Sequence, residues 1–214
     1  MRASANSPSG TTVAAQLDPL VLPPGTAIHM IAFAEHRSAK RFVLEMERHV
    51  NQLGRHVART TIVATRDQFL RALQAETDLM LVSAHGPRAT QHEPLIGDGN
   101  PRNRVDLRDL GRARPFVLGA RAGIIWDACY TGCPKFGFMN EFARLSAAGV
   151  VHVAPVGEIE WDHSVHLATT ILNKLLAVGI PPIMPTSVAA AAASAAASSQ
   201  IELWHSPLMR DGTS

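Results

Sequence analysis

The sequence predicts an α/β fold, with a mostly parallel sheet carrying helices on both faces. Three observations lead there. Five short apolar runs recur along the chain, and between them lie segments with helical spacing of apolar residues. The strands read as continuous Ile, Val, Leu and Ala rather than alternating, as strands buried on both faces do. Strand and helix segments alternate, which is the pattern of parallel βαβ units.

Residues 1–25 are rich in Ser, Thr, Ala and Pro and are expected to form a flexible arm ahead of a single domain over 26–214. Residues 27–34 (AIHMIAFA) are the first predicted strand. Phe42, Leu44, Met46, Val50 and Leu53 place a helix over 38–53, with Gly54 as its stop. Residues 60–64 give a second strand, and Asp67 is positioned to cap a helix carrying Phe69, Leu70 and Leu73. The third strand, 79–84, runs directly into His85 and Gly86. Residues 88–104 read as a loop or hairpin with strand pieces at 94–96 and Val105, and with Asp98 as a turn former. Asp106 is expected to cap a short helix through Ala113.

The fourth strand, 122–126, ends at Asp127, Ala128 and Cys129. A helix over 137–148, a fifth strand at 150–154 and an amphipathic helix over 163–178 follow. The alanine-rich stretch 186–199 is expected to be a helix whose small side chains allow close packing. Trp126 and Trp161 are expected to be packing residues. His163 and His166 are placed at the surface, near the start of their helix.

Composition narrows the function. With 46% hydrophobic and 18% charged residues over 214 positions, the chain can bury a substantial core. A net charge of +2 is too small and scattered for a nucleic-acid surface. Long apolar runs are interrupted by Asn173, Lys174 and prolines, which argues against a membrane span. The N-terminus lacks a secretory apolar region, and the only cysteines are Cys129 and Cys133. A cytoplasmic location and no disulfide scaffold are therefore expected.

His85 and Cys129 each follow a predicted strand. In a parallel sheet both lie at the carboxyl edge, where ligands bind in such folds. If the two strands are neighbours, about 4.8 Å apart, the side chains can meet above that edge. A cysteine nucleophile needs a base, and the same histidine can protonate the leaving amine. The backbone N–H groups of Gly86 and Cys129 supply an oxyanion pair. Three alternatives stand beside a Cys–His dyad. One is a Cys129–Cys133 redox pair, one is a zinc site using His85, Cys129, Cys133 and His92, and one is a structural cysteine in a turn.

The segment Ser83-Ala-His-Gly86, followed 44 residues later by Asp127-Ala-Cys-Tyr-Thr-Gly132, resembles the caspase-like cysteine peptidases of clan CD. Within them it is most similar to the bacterial CHAT type, and to metacaspases at the nucleophile. The resemblance implies a three-layer α/β/α sandwich, Cys129 as nucleophile, His85 as acid and base, and a protein or peptide substrate with no cofactor. It also implies that Asp127 selects Arg or Lys before the scissile bond. The loop 156–161 after the fifth strand is expected to form the rest of the pocket, with Glu158 as a second candidate acid. Asp127 as a cap of the Cys129 turn is the competing reading.

Caspases carry a long linker after the nucleophile, whereas here only residues 130–136 separate it from the next helix. Activation by cutting there is not expected, and control by a separate regulatory or sensor protein is. The family's small bacterial members suggest regulated proteolysis, antiphage defence among its settings. A non-peptidase cysteine hydrolase would use a Gly-x-Cys-x-Gly elbow, whose first glycine this chain lacks. An inactive module that binds peptides in its cleft is the third function class.

Overall fold

The computed structural model describes residues 18–54, 56–88, 93–112, 115–177, 182–198 and 202–205. Residues 1–17 of the expected arm, and His92, lie outside the described residues. Just before the first strand, the Leu20 amide donates to the Arg71 carbonyl at 3.1 Å.

The elements follow the apolar patterning. Strand β1 (Thr26–Phe33) leads into helix α1 (Arg37–Leu53), whose buried face is Ala39, Phe42, Val43, Met46 and Val50. Gly54 stops α1 at φ +67°, a left-handed conformation that glycine adopts without a Cβ clash. Then come β2 (Val57–Val63), α2 (Arg66–Leu73) and β3 (Thr77–Ser83). A two-stranded antiparallel ribbon, β4 (Leu95–Ile96) with β5 (Val105–Asp106), stands apart from the main sheet. The chain closes with β6 (Ala120–Asp127), α3 (Phe138–Leu145), β7 (Val151–Pro155), α4 (Trp161–Ala177), α5 (Pro185–Ser198) and β8 (Leu203–His205).

The sheet order is β2-β1-β3-β6-β7-β8. The first five strands are parallel, and β8 pairs with β7 antiparallel at one edge. Helices cover both faces, so the architecture is a three-layer α/β/α sandwich. One core lies under α1, α4 and α5, and the other under α2 and α3. The alanine helix α5 buries Val188, Ala191, Ala192 and Ala195. Val188 sits so near the sheet that a Cβ on Gly123 would lie 2.8 Å from its Cγ1. No helix among the described residues is long and apolar enough to cross a membrane.

Several local expectations are corrected. The cap of α2 is Thr65, whose hydroxyl accepts the Gln68 amide, and Asp67 sits inside the first turn. Asp106 does cap a helix, but it is a single 3-10 turn, Leu107–Asp109. Gly111 at φ +77° follows within two residues and prevents its extension. Strand β8 was not anticipated, since three residues near the end of the sequence give too short a run to read.

Trp126 is packing, as expected. It stacks on Phe142 at 4.7 Å, and its indole N–H donates to Nδ1 of buried His152 at 3.1 Å. Trp161 packs against the α1–α4–α5 core, with the Arg41 guanidinium 4.6 Å over its ring. His163 and His166 are exposed.

Candidate active site

Strand order decides what can meet. Strands β3 and β6 are neighbours in parallel register, with Ser83 opposite Asp127. The chain therefore leaves both strands at the same level, and His85 and Cys129 each lie two residues beyond that pair. The Ala84 amide donates to the Asp127 carbonyl at 3.0 Å and carries the pairing past the ends of the strands. The reversal in strand order, between β1 and β3, lies at the same edge, which is where open α/β sheets form their crevice.

The two loops touch through backbone. A Cβ placed on Gly86 would overlap the Cys129 carbonyl oxygen and lie 2.9 Å from its carbonyl carbon. Only glycine fits there. Among the described residues, neither the Gly86 nor the Cys129 amide donates to a protein acceptor.

The turn after Cys129 is held from the β7 side. The Tyr130 amide donates to the Gly157 carbonyl at 2.9 Å and the Gly132 amide to the Pro155 carbonyl at 2.8 Å. Tyr130 is the one described non-glycine residue with positive φ, at 61°. Such a conformation disfavours a bulky residue, and it sits directly after the nucleophile candidate. The Thr131 hydroxyl donates to the Ala128 carbonyl at 2.8 Å inside the turn.

The Cys129 thiol is half-buried and points to the Ile159 carbonyl, with Sγ at 3.9 Å from the oxygen. Burial pushes its pKa above the ordinary thiol value. The charges of Asp127 and Glu158 add to that shift, and hydrogen bonding from the backbone to the sulfur works against it. The thiol is protonated at neutral pH, and no hydrogen bond joins it to the His85 ring among the described residues. A base that takes its proton on substrate binding suits this arrangement better than a standing thiolate–imidazolium pair.

His85 is fixed along its backbone by the ribbon. Its amide donates to the Gly97 carbonyl at 2.7 Å and its carbonyl accepts from the Gly97 amide at 3.0 Å. Its ring stacks on His36 with centroids 3.9 Å apart. Burial lowers the His85 pKa below the ordinary value. Asp98 opposes the shift and Arg88 adds to it. His36 follows β1 as His85 follows β3, and its Nδ1 accepts the Ala39 amide at 3.3 Å to cap α1. Burial and the facing His85 bring the His36 pKa down to about 4, so its ring is neutral. His36 was not singled out in the sequence, although the strand-end rule that located His85 applies to it equally.

Asp127 is half-buried, and each of its carboxylate oxygens accepts a serine hydroxyl, from Ser83 on β3 and from Ser164 on α4. No backbone amide of the Cys129 turn bonds to it, so it does not cap that turn. Burial raises its pKa, and the two serine hydrogen bonds pull the other way. Glu158 lies exposed on the link from β7 to α4. Cys133 packs against the α2–α3 core and is not disulfide-bonded. Asp98 is a turn former, accepting from the Asn100 amide at 2.9 Å and the Asn103 side-chain amide at 2.7 Å. Among the described residues, no cluster of three or more His, Cys, Asp and Glu side chains is placed to hold a metal ion.

The sequence matches no known family model, and no curated protein matches it. Among solved structures, the chain is similar to iotapain, a secreted C11 cysteine protease from Bacteroides thetaiotaomicron. Identity is 11% and the TM-score is 0.48, over 79% of this chain and 62% of that one. The chain thus spans less than two thirds of the protease's length.

Proposed function

We propose that this protein is a cysteine endopeptidase that cleaves after Arg or Lys, with Cys129 as nucleophile and His85 as acid and base. One observation carries the reading. The backbone of Gly86, directly after His85, packs against the backbone of Cys129 at the ends of paired parallel strands. That contact supports a reading in which the base and the thiol act at one point.

The chemistry follows from these parts. The His85 ring is neutral and accepts the thiol proton as Sγ attacks the scissile carbonyl carbon. The carbonyl oxygen takes the negative charge and lies against the Gly86 and Cys129 amides. Such donors are worth about 10²–10³-fold in rate each. The His85 imidazolium then gives its proton to the leaving amine, which breaks the C–N bond and leaves a thioester on Cys129. Water, deprotonated by His85, hydrolyses that thioester and restores the thiol.

Asp127 supports the preference for a basic residue. Its two serine hydrogen bonds occupy two of its acceptor positions and leave others for a guanidinium or ammonium. A half-buried carboxylate without a cationic neighbour is stabilised by one brought with the substrate. Glu158 is the second candidate acid at the same pocket. Regulated proteolysis under a separate partner protein fits the chain's resemblance to small caspase-like peptidases.

The test is intact-mass labelling by two peptide electrophiles, one ending in Arg and one in Asp. We expect an adduct from the Arg probe with wild type and none with Cys129→Ala or His85→Ala. Labelling by the Asp probe alone would overturn the pocket assignment. No labelling by either would favour an inactive peptide-binding module.

A further inference from the structure

The site has a second recess beside His85 and Gly86. It is a crevice of about 170 Å³ between the β3 end and the β4–β5 ribbon, lined by His85, Gly86, Gly97, Gly99, Arg88 and Arg104 among others. This is well below the size of a small-molecule pocket and suits a single side chain. Three of its lining residues, Gly86, Gly97 and Gly99, are glycines and add no side chain to it. Its two charged lining residues other than His85 are both arginines, and no carboxylate lines it among the described residues.

Arg104 is exposed and makes no ion pair among the described residues. Asp106, two residues on, pairs with Arg108, and Asp98 turns its oxygens to Asn100 and Asn103.

We infer that this crevice binds an acidic side chain, Glu or Asp, on the substrate residue that follows the scissile bond. The inference rests on the reading of His85 as the general acid. That group must reach the leaving nitrogen, so the amine side of the substrate lies beside His85. The crevice that His85 and Gly86 wall is then where the next side chain falls. A carboxylate there meets Arg104, while Asp127 faces the basic residue before the cut. The preferred junction is basic then acidic, each half selected by opposite charge.

The test uses three peptides that differ only after a fixed Arg, carrying Glu, Ala or Lys. In kcat/KM we expect Glu above Ala above Lys, with Glu over Lys by roughly fivefold at low salt, as one exposed ion pair allows. The ratio should narrow as salt is raised. Arg104→Gln should shrink it severalfold. Equal rates for Glu and Lys, or a ratio unchanged in Arg104→Gln, would overturn the assignment.

Binding of the same fluorescent peptides to Cys129→Ala separates the crevice from the chemistry. Preferential binding of the Glu peptide, weakened by Arg104→Gln, with no cleavage by wild type, would sink the peptidase reading and uphold the crevice. Equal binding of the Glu and Lys peptides, or equal displacement of the Glu peptide by a single-stranded oligonucleotide, would sink the crevice.

Discussion

The backbone of Gly86 lies directly against the carbonyl of Cys129, with no space for a Cβ between them. These residues are 43 positions apart, yet they form the tightest point between the two site loops. A methyl group at Gly86 must push the loops apart. Overpacking of this kind costs about 1–3 kcal/mol. It also displaces an N–H donor. Gly86→Ala should therefore lower the melting temperature by several degrees and reduce peptide turnover by about 10²-fold or more. Calorimetry and steady-state kinetics on the same sample check both.

His36 stacks on one face of the His85 ring. Its side chain also caps α1, so the substitution that isolates the stack is His36→Asn, which can keep the cap. With the stack gone, the His85 ring gains solvent and its pKa rises toward the ordinary value. The acid limb of kcat/KM should move to higher pH. Imidazole NMR of His85 reports the same shift independently of turnover.

Asp127→Asn tests whether the carboxylate recognises substrate or only joins strands to a helix. Asparagine keeps the shape and an acceptor but loses the charge. Cleavage after Arg should fall on the order of 10²-fold, as expected for removing one partner of a desolvated charge pair. Melting should change little. A variant that fails to fold would assign Asp127 to stapling β3, β6 and α4. Ser164→Ala then supplies a second reading of the same carboxylate, since it removes one donor and keeps the charge.

The thiol makes a prediction of its own. A raised Cys129 pKa means little thiolate at pH 7. Alkylation by iodoacetamide should be slow there and should accelerate as pH rises past the ordinary thiol range. A peptide electrophile, which brings its carbonyl to the two N–H donors, should react far faster at pH 7. Fast alkylation at pH 6 would contradict this.

Acid stability depends on buried His29. It has no exposed surface, its Nε2 pairs with the Thr61 hydroxyl at 2.8 Å, and its Nδ1 has no partner. Burial brings its pKa down to about 4, against 6.5 in the unfolded chain. Between those values the unfolded chain binds the extra proton. Stability is therefore full above pH 6.5 and declines as pH falls toward 4, by roughly 3 kcal/mol for this one group. His152, brought down to about 3, adds to the same trend. His29→Leu should flatten part of that decline in urea titrations.

The parallel sheet and the two strand-end residues were legible because buried strands leave long apolar runs, and His85 and Cys129 interrupt two of them at their ends. Their adjacency follows from the pairing of β3 with β6, which the sequence suggests but does not dictate. The partners of Asp127 were harder to see. Ser83 belongs to the motif, but Ser164 sits inside an amphipathic helix, where one serine among polar positions carries no signal. His36 lies between Glu35 and Arg37 and reads as part of a solvated stretch. The crevice needs the β4–β5 ribbon folded against His85, and strands of two residues leave almost no periodicity.

The serine hydrogen bonds to Asp127 also have a consequence for biosynthesis. Asp127 is tied to Ser83 behind it in the chain and to Ser164 ahead of it, and the thiol rests on Ile159. Parallel pairing closes only after long intervening segments have been made, and it is slow. On the proposed reading, a growing chain that has reached Cys129 holds the thiol without the residues that would complete its pocket. Competence would then wait until α4 has been made and docked, which would keep an unfinished chain from cutting its neighbours.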